Sequence, residues 1–447
     1  LQGQASFAQK KMREIIKMNT SLRRATLVSL IVISDPVLSA GFVEDADVSL
    51  NLRNFYTNRN FLDNGGSRTN PGPTDRGNAA EWTQNFILNA RSGFTQGTVG
   101  FGVDALGLFG VKLDGGRGTY GTQALPTHDG NRPADNFGRL AVAAKFKVGE
   151  TQLKVGEWFS ELPILQSSDA RSLPQTFQGA MATSKDIPGY TLYGGRMTGN
   201  SQRNDTSMEK LSVGGRGTVK HNGGNTIESD GLNFVGIEHR FNEDRTNAGI
   251  WYAQLEDIYK QRYARLEHSW AVTDNMSIGA KIGYFDYDED GKALAGPIDN
   301  RTATGLFSLK TGPHSFYLGL QNMYGDSPWL RVAGSTAIDL PNDSYGSSFD
   351  GAQERSWQIR YDYNFVAMGI PGLTMMNRFI EGRNVHTSTT SDGKDRGRET
   401  ELAYVVQSGS FKNVSIRLRN FSLRQNYGTN TSFDETRVII QYPIKFL

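Results

Sequence analysis

The chain has 447 residues, with 48 Lys+Arg against 46 Asp+Glu and no cysteine. It is polar on average and lacks the runs of about 20 apolar residues that a helical membrane bundle needs, and without cysteine it has neither a disulfide staple nor a thiolate metal site. A soluble chain this long would usually divide into two or three domains, but there is no Pro/Ser-rich linker and no switch from strand-like to helix-like patterning.

Met18 opens a secretory leader, with Arg23 and Arg24 as its charged region, Ala25 to Ser34 as its apolar stretch, and Ser39-Ala40 as the cleavage end before Gly41. The apolar stretch is too short for a membrane anchor. Residues 1–17 precede this leader and read as an upstream mis-start, residues 18–40 as the leader, and residues 41–447 as one mature domain. Residues 41–447 keep 42 basic and 44 acidic residues, a net charge of −2.

From there the hydrophobic period is two. Leu50 and Leu52 alternate with Asn51 and Arg53. Leu140, Val142, Ala144, Phe146 and Val148 alternate with Arg139, Ala141, Ala143, Lys145 and Lys147. Ile278, Ala280, Ile282 and Tyr284 alternate with Ser277, Gly279, Lys281 and Gly283; Trp357, Ile359, Tyr361, Tyr363 and Phe365 alternate with Ser356, Gln358, Arg360, Asp362 and Asn364. Val414, Ile416 and Leu418 face away from Ser415, Arg417 and Arg419, and the chain closes on Val438, Ile440, Tyr442, Ile444 and Phe446 opposite Arg437, Gln441 and Lys445. Successive strand residues point to opposite faces, so each segment is a two-faced strand. Residues 200–246 show no clear period. The stretches Asp63 to Asn78 and Asp114 to Asn136 are rich in Gly, Asn, Asp and Pro and read as long loops.

A soluble β-sandwich also alternates. The leader, the number of long segments and the aromatic residues at segment ends favour a transmembrane antiparallel β-barrel, an all-β fold with apolar residues on lipid and aromatic girdles at both interfaces. The charge then has one place to go. Arg53, Arg91, Arg139, Lys145, Lys147, Lys154, Arg360, Arg378, Arg417, Arg419 and Arg437 lie opposite the apolar face. On the lipid side such a charge costs roughly 2–4 kcal/mol at the midplane, so the lumen is predicted to carry a basic ladder. In a narrow pore with low-dielectric walls this ladder attracts carboxylates. In part it also neutralises lumen acids such as Glu81, Asp104, Asp362, Glu399 and Glu401.

Enzyme signatures are absent. His128, His221, His239, His268, His314 and His386 show neither metal-ligand spacing nor a nucleophile elbow, Gly100-Phe101-Gly102 lacks a third glycine at dinucleotide spacing, and Gly115-Gly116-Arg117-Gly118-Thr119 lacks the lysine of a phosphate loop. No cofactor and no nucleic-acid partner are expected.

The stretch Ser92 to Ala105 resembles the OprD family of substrate-specific outer-membrane channels, as do Leu255 to Tyr259, Ser356 to Asp362, Pro371 to Thr374 and Tyr404 to Gly409. The resemblance runs from about Gly41 to Leu447. It implies an eighteen-stranded barrel with one pore per chain, the alternative being weak association into a homotrimer, and a third loop folded inward across the channel. It also implies a wall of basic residues facing an acidic or polar loop, and solutes that carry a carboxylate. The inward loop would span Glu161 to Thr176. Its Ser167 to Thr176 stretch is similar to the branch that takes benzoate-, vanillate- or phenylacetate-like acids, with the basic-amino-acid branch and a general diffusion porin as the alternatives. The resemblance places Asp169 and Arg171 at the constriction and brings Asp326, in Tyr324-Gly325-Asp326-Ser327-Pro328, from the seventh loop. The expected partners are a small anionic solute inside, and outer-membrane lipid and lipopolysaccharide outside.

Overall fold

The computed structural model describes residues 41–62, 77–214, 226–428 and 432–447. The leader and the upstream residues assigned from sequence lie outside these. Eighteen strands form one antiparallel sheet that closes on itself, the first strand pairing with both the second and the last. We number the strands in chain order. The first six are β1 Asp47–Phe61, β2 Asn78–Arg91, β3 Gly100–Asp114, β4 Asn136–Val148, β5 Thr151–Trp158 and β6 Thr176–Ser184. Next come β7 Tyr190–Ser201, β8 Leu232–Phe241, β9 Thr246–Leu255, β10 Tyr259–Thr273, β11 Met276–Glu289 and β12 Asp299–Thr311. The last six are β13 His314–Tyr324, β14 Arg355–Asn364, β15 Leu373–Val385, β16 Gly393–Val405, β17 Ser415–Gln425 and β18 Phe433–Lys445. Closure leaves no sheet edge, so every strand satisfies its backbone groups on neighbours within the barrel.

The alternation read from sequence maps onto the two faces. Leu140, Ile250 and Ile359 stand more than half exposed on the outer wall, while their neighbours Ala141, Trp251 and Gln358 are buried inside. Connections alternate between the two ends of the barrel. At one end β4 turns into β5 through Gly149, whose φ of 57° is the left-handed conformation that tight hairpins use. At the other end the long connections 115–135, 159–175, 202–231 and 325–354 gather; in outer-membrane barrels the longer loops are the extracellular ones. Part of the stretch 200–246, unreadable from sequence, is the end of β7 and the whole of β8, separated by the 202–231 loop.

The lumen is filled unevenly. Against β8 to β12 an apolar plug of Trp251, Tyr259, Tyr263, Phe285 and Tyr287 packs on Trp329, Leu330 and Leu340 from the 325–354 loop, and on Leu162, Ile164 and Leu165 from the 159–175 loop. Against the opposite wall, β14 to β18 with β1, the 325–354 loop packs through Phe349 on Ile380, Phe421 and Phe433, and a cavity remains beside Arg59, Arg378 and Arg419.

Candidate functional site

The 159–175 loop folds into the lumen and is held there by its own turns and by arginines of the wall. Ser160 Oγ donates to the Leu165 carbonyl at 2.7 Å, and the Ser160 amide donates to Ser167 Oγ at 2.9 Å. Leu173 is fully buried against Ile87, Leu108, Leu125 and Phe137. Arg53 of β1 grips Asp169 with both ends of its guanidinium, at 2.6 and 2.8 Å, and donates to the Arg171 carbonyl at 3.0 Å. Arg139 of β4 donates to the carbonyls of Pro174, Gln202 and Asp205, tying this loop to the next. Arg437 of β18 reaches the Ala170 carbonyl at 3.4 Å and the Tyr345 carbonyl at 2.9 Å.

From the other side Asp343 to Ser348 of the 325–354 loop meet it. The Tyr345 amide donates to Glu399 Oε1 at 2.6 Å, its hydroxyl donates to Glu401 Oε2 at 3.1 Å, and its ring lies 4.2 Å from the Arg419 guanidinium. Gly346 must be glycine here, because a Cβ would stand 2.1 Å from the Phe421 ring and 2.8 Å from that of Phe433.

Between the loops and the wall of β14 to β18 with β1 lies a cavity of about 1090 Å³. Arg59, Arg171, Arg203, Arg331, Arg378 and Arg419 line it together with Phe61, Phe159, Tyr345, Tyr427 and Phe433. A second cavity of about 300 Å³, lined by Arg53, Arg91, Lys154, Asp104 and Glu157, lies beyond the loop. Phe159 and Asp169 border both, so they mark the passage between them.

Four cavity arginines are paired: Arg59 with Glu435 at 2.6 Å, Arg331 with Asp350 at 2.8 Å, Arg378 with Glu399, and Arg419 with Glu401. Among the described residues, Arg171 and Arg203 have no carboxylate at ion-pairing distance. Arg171 donates to the carbonyls of Thr122 and Ala170, both at 2.9 Å, and Arg203 donates to Ser168 Oγ at 2.9 Å and to Gln123 Oε1. Burial and the like charge of Arg437 push the Arg171 pKa well down; burial, then Arg437, Arg331 and Arg59, push that of Arg203 down to about 10. Both guanidiniums therefore sit in a positive field that an anion would relieve.

The sequence-derived positions divide accordingly. Arg378, Arg419, Asp169 and Arg171 line the large cavity, and Arg53 the small one. Arg139 and Arg437 border neither: they are spent on loop carbonyls, a correction to a ladder open to solute along its whole length. Lys145 pairs with Asp104 at 2.7 Å, Lys147 with the exposed Glu150 at 3.2 Å, and Arg360 with Asp362 at 2.6 Å. Arg417 is half-buried with no ion pair among the described residues. Asp326 is not at the constriction. It sits exposed, accepting from Gln353 Nε2 at 3.1 Å, and the same loop presents Asp343 and Asp350 to the cavity instead. Sequence reasoning missed Arg59, Arg203, Arg331 and Tyr345. Arg59 was within reach, since it is in phase with Arg53 along β1; the other three are on loops, where no period points inward.

The family model of outer membrane porins of the OprD family matches residues 40–446. The chain belongs to the OprD family. It is accordingly a substrate-specific outer-membrane porin, a transport channel and not an enzyme. The porin-like protein GalP of Pseudomonas putida is 53% identical over 410 residues, covering 92% of this chain and 94% of that protein. Among solved structures, a BenF-like porin from Pseudomonas fluorescens is 53% identical with a TM-score of 0.85. Two Pseudomonas aeruginosa proteins, OccK2 (OpdF) in complex with glucuronate and OpdK with vanillate, are 47% and 44% identical, with TM-scores of 0.80 and 0.82. Each of the three alignments covers 91% of this chain and 100% of the other.

Proposed function

We propose that this OprD-family porin passes small ring-bearing carboxylates, with monocyclic aromatic acids of the benzoate, vanillate and phenylacetate type as its preferred solutes. The observation that carries this reading is the pair Arg171 and Arg203, two cations with no carboxylate partner among the described residues, on a cavity walled by Tyr345, Phe433 and Phe61. A carboxylate entering there exchanges hydration for charge-assisted hydrogen bonds, worth about 1.5–3 kcal/mol each, and its ring lies against aromatic side chains. The bond must stay weak enough to release the solute. Past Phe159 and Asp169 the cations of the smaller cavity are Arg53, held by Asp169, Lys154, held by Asp104, and Arg91.

The solutes seen with two similar channels fit this chemistry. Vanillate and glucuronate each carry one carboxylate on a six-membered ring. The carboxylate is common to both, and the aromatic wall of this cavity favours the flat ring. A cationic amino acid would enter the positive field of Arg171 and Arg203, which argues against the basic-amino-acid branch.

Uptake into liposomes holding the purified porin tests the reading with labelled benzoate, vanillate, phenylacetate, glucuronate, arginine and lysine. The aromatic acids are expected to enter fastest, glucuronate next, and the basic amino acids slowest. Equal uptake of arginine and benzoate overturns it.

A further inference from the structure

Charge on the outer wall is confined to the long-loop end, and there it is unevenly distributed around the barrel. On β10 to β12 the outward residues Arg262 and Arg301 face Asp286, Asp288 and Asp299, and both arginines are paired. On β14 to β17 the sign reverses. Arg355, Arg383, Lys394, Arg396, Arg398 and Arg424 are all exposed, on the faces opposite the buried lumen residues Ser356, Asp395, Glu399 and Leu423. Strand register brings them together: Arg355 stands beside Arg383, Arg383 beside Lys394, and Arg396 beside Arg424. With strands about 4.8 Å apart, the patch is roughly 14 Å across.

The acids present do not neutralise it. Glu381 is shared between Arg383 at 2.5 Å and Arg396 at 3.8 Å, Asp434 takes Arg424 at 2.9 Å, and Asp392 takes Lys394 at 3.3 Å. Arg355 and Arg398 have no ion pair among the described residues. Toward the short-turn end the same strands expose Ile359, Leu402 and Leu418. Among the described residues, a cationic row therefore caps an apolar wall on this flank.

We propose that this flank is a binding site for a phosphorylated glycolipid of the outer leaflet, its phosphates on Arg355 and Arg398 and its acyl chains along Ile359, Leu402 and Leu418. Guanidinium matches phosphate in bidentate geometry, and basic residues at the headgroup level beside an apolar span hold anionic lipids. The apolar wall directly below the cations selects lipid-borne phosphate over the free ion.

The test is native mass spectrometry of the detergent-purified full barrel with diphosphoryl lipid A, its fully dephosphorylated form, and free pyrophosphate. The wild type is expected to retain diphosphoryl lipid A and neither of the others. Arg355→Gln with Arg398→Gln should weaken retention roughly thirtyfold, since each basic residue near a membrane surface contributes about a fivefold effect; Arg301→Gln on the opposite flank should leave it unchanged. Heat-modifiable gel mobility checks that each barrel is folded. Equal retention by the double variant, or an equal loss in Arg301→Gln, overturns the site. Retention of the dephosphorylated lipid, or of pyrophosphate at the same level, overturns it on the wild type alone.

Discussion

Arg171 and Arg203 share a charge and a cavity but differ in what holds them. Arg171 is nearly inaccessible and gives its donors to the Thr122 and Ala170 carbonyls, so truncating it both removes a cation and strips a donor from the buried Thr122 carbonyl, at about 1–3 kcal/mol if that group is left unsatisfied. Arg203 comes from the 202–231 loop and, among the described residues, donates to side chains, those of Ser168 and Gln123. It is the cleaner probe of selectivity. Arg203→Ala should lower benzoate uptake about tenfold, the loss of one charge-assisted hydrogen bond, while heat-modifiable mobility stays that of a folded barrel. Arg203→Lys, which keeps the charge without the fork, should fall between. Wild-type uptake of benzoate, vanillate and phenylacetate by folded Arg203→Ala would remove this residue from the solute path.

At the scale of the elements, strands and loops carried different amounts of information. Any strand with one face on lipid must alternate, so β4, β14, β17 and β18 could be read from residues 139–148, 356–364, 415–419 and 437–445, and with them the inward placement of Arg360, Arg417 and Arg419. Loops answer to no period. Arg203, Arg331 and Tyr345 reach the cavity only because their loops fold back, and Asp326 was misplaced because its loop presents Asp343 to Ser348 rather than its own first turn. The same limit explains Arg139 and Arg437: alternation sends them inward, but only the folded loops decide that they meet carbonyls rather than solute. The inward loop is therefore an element fixed by the wall. Arg139→Ala removes the donors to Pro174, Gln202 and Asp205 and loosens the 159–175 loop from its neighbour, leaving Arg203 on Ser168 as a tie between them. The strand ladder does not pass through those bonds, so the barrel should still close. Single-channel recordings in KCl should show a larger and noisier conductance than wild type, with discrimination between benzoate and arginine reduced. A conductance trace indistinguishable from wild type would mean that the remaining contacts, among them Arg53 on Asp169, Arg203 on Ser168 and Leu173 in its apolar pocket, fix the loop without Arg139.

For the whole molecule, net charge and lumen charge point in opposite directions, and a selectivity measurement separates them. Residues 41–447 carry a net charge of −2, which by itself would suggest a mild preference for cations. The narrow part of the pore is different. Around it stand Arg53, Arg59, Arg171, Arg203, Arg331, Arg378, Arg419 and Arg437, eight guanidiniums against the six carboxylates of Asp169, Asp343, Asp350, Glu399, Glu401 and Glu435. Much of the acid surplus lies outside the lumen, on the β10 to β12 rim for example, where salt screens it from the pore over about 8–10 Å. Field lines in a low-dielectric channel are set by the nearby charges, so planar-bilayer reversal potentials in a KCl gradient should report anion selectivity at neutral pH. Acidification should strengthen it through Asp343. Burial raises the pKa of this carboxyl above the ordinary value of 3.8, so as pH falls it takes up a proton before an exposed aspartate does. Each protonation removes one negative charge from the cavity and widens the cationic excess. The anion-to-cation permeability ratio should therefore rise on acidification, beginning at a pH above the range of an exposed aspartate. Asp343→Asn should already show the higher ratio at neutral pH and lose that early step, leaving only the response of the remaining carboxylates. Cation selectivity at neutral pH would show that Asp169, Asp343 and Asp350 dominate the passage, and an unaltered pH profile in Asp343→Asn would assign the step to another carboxylate.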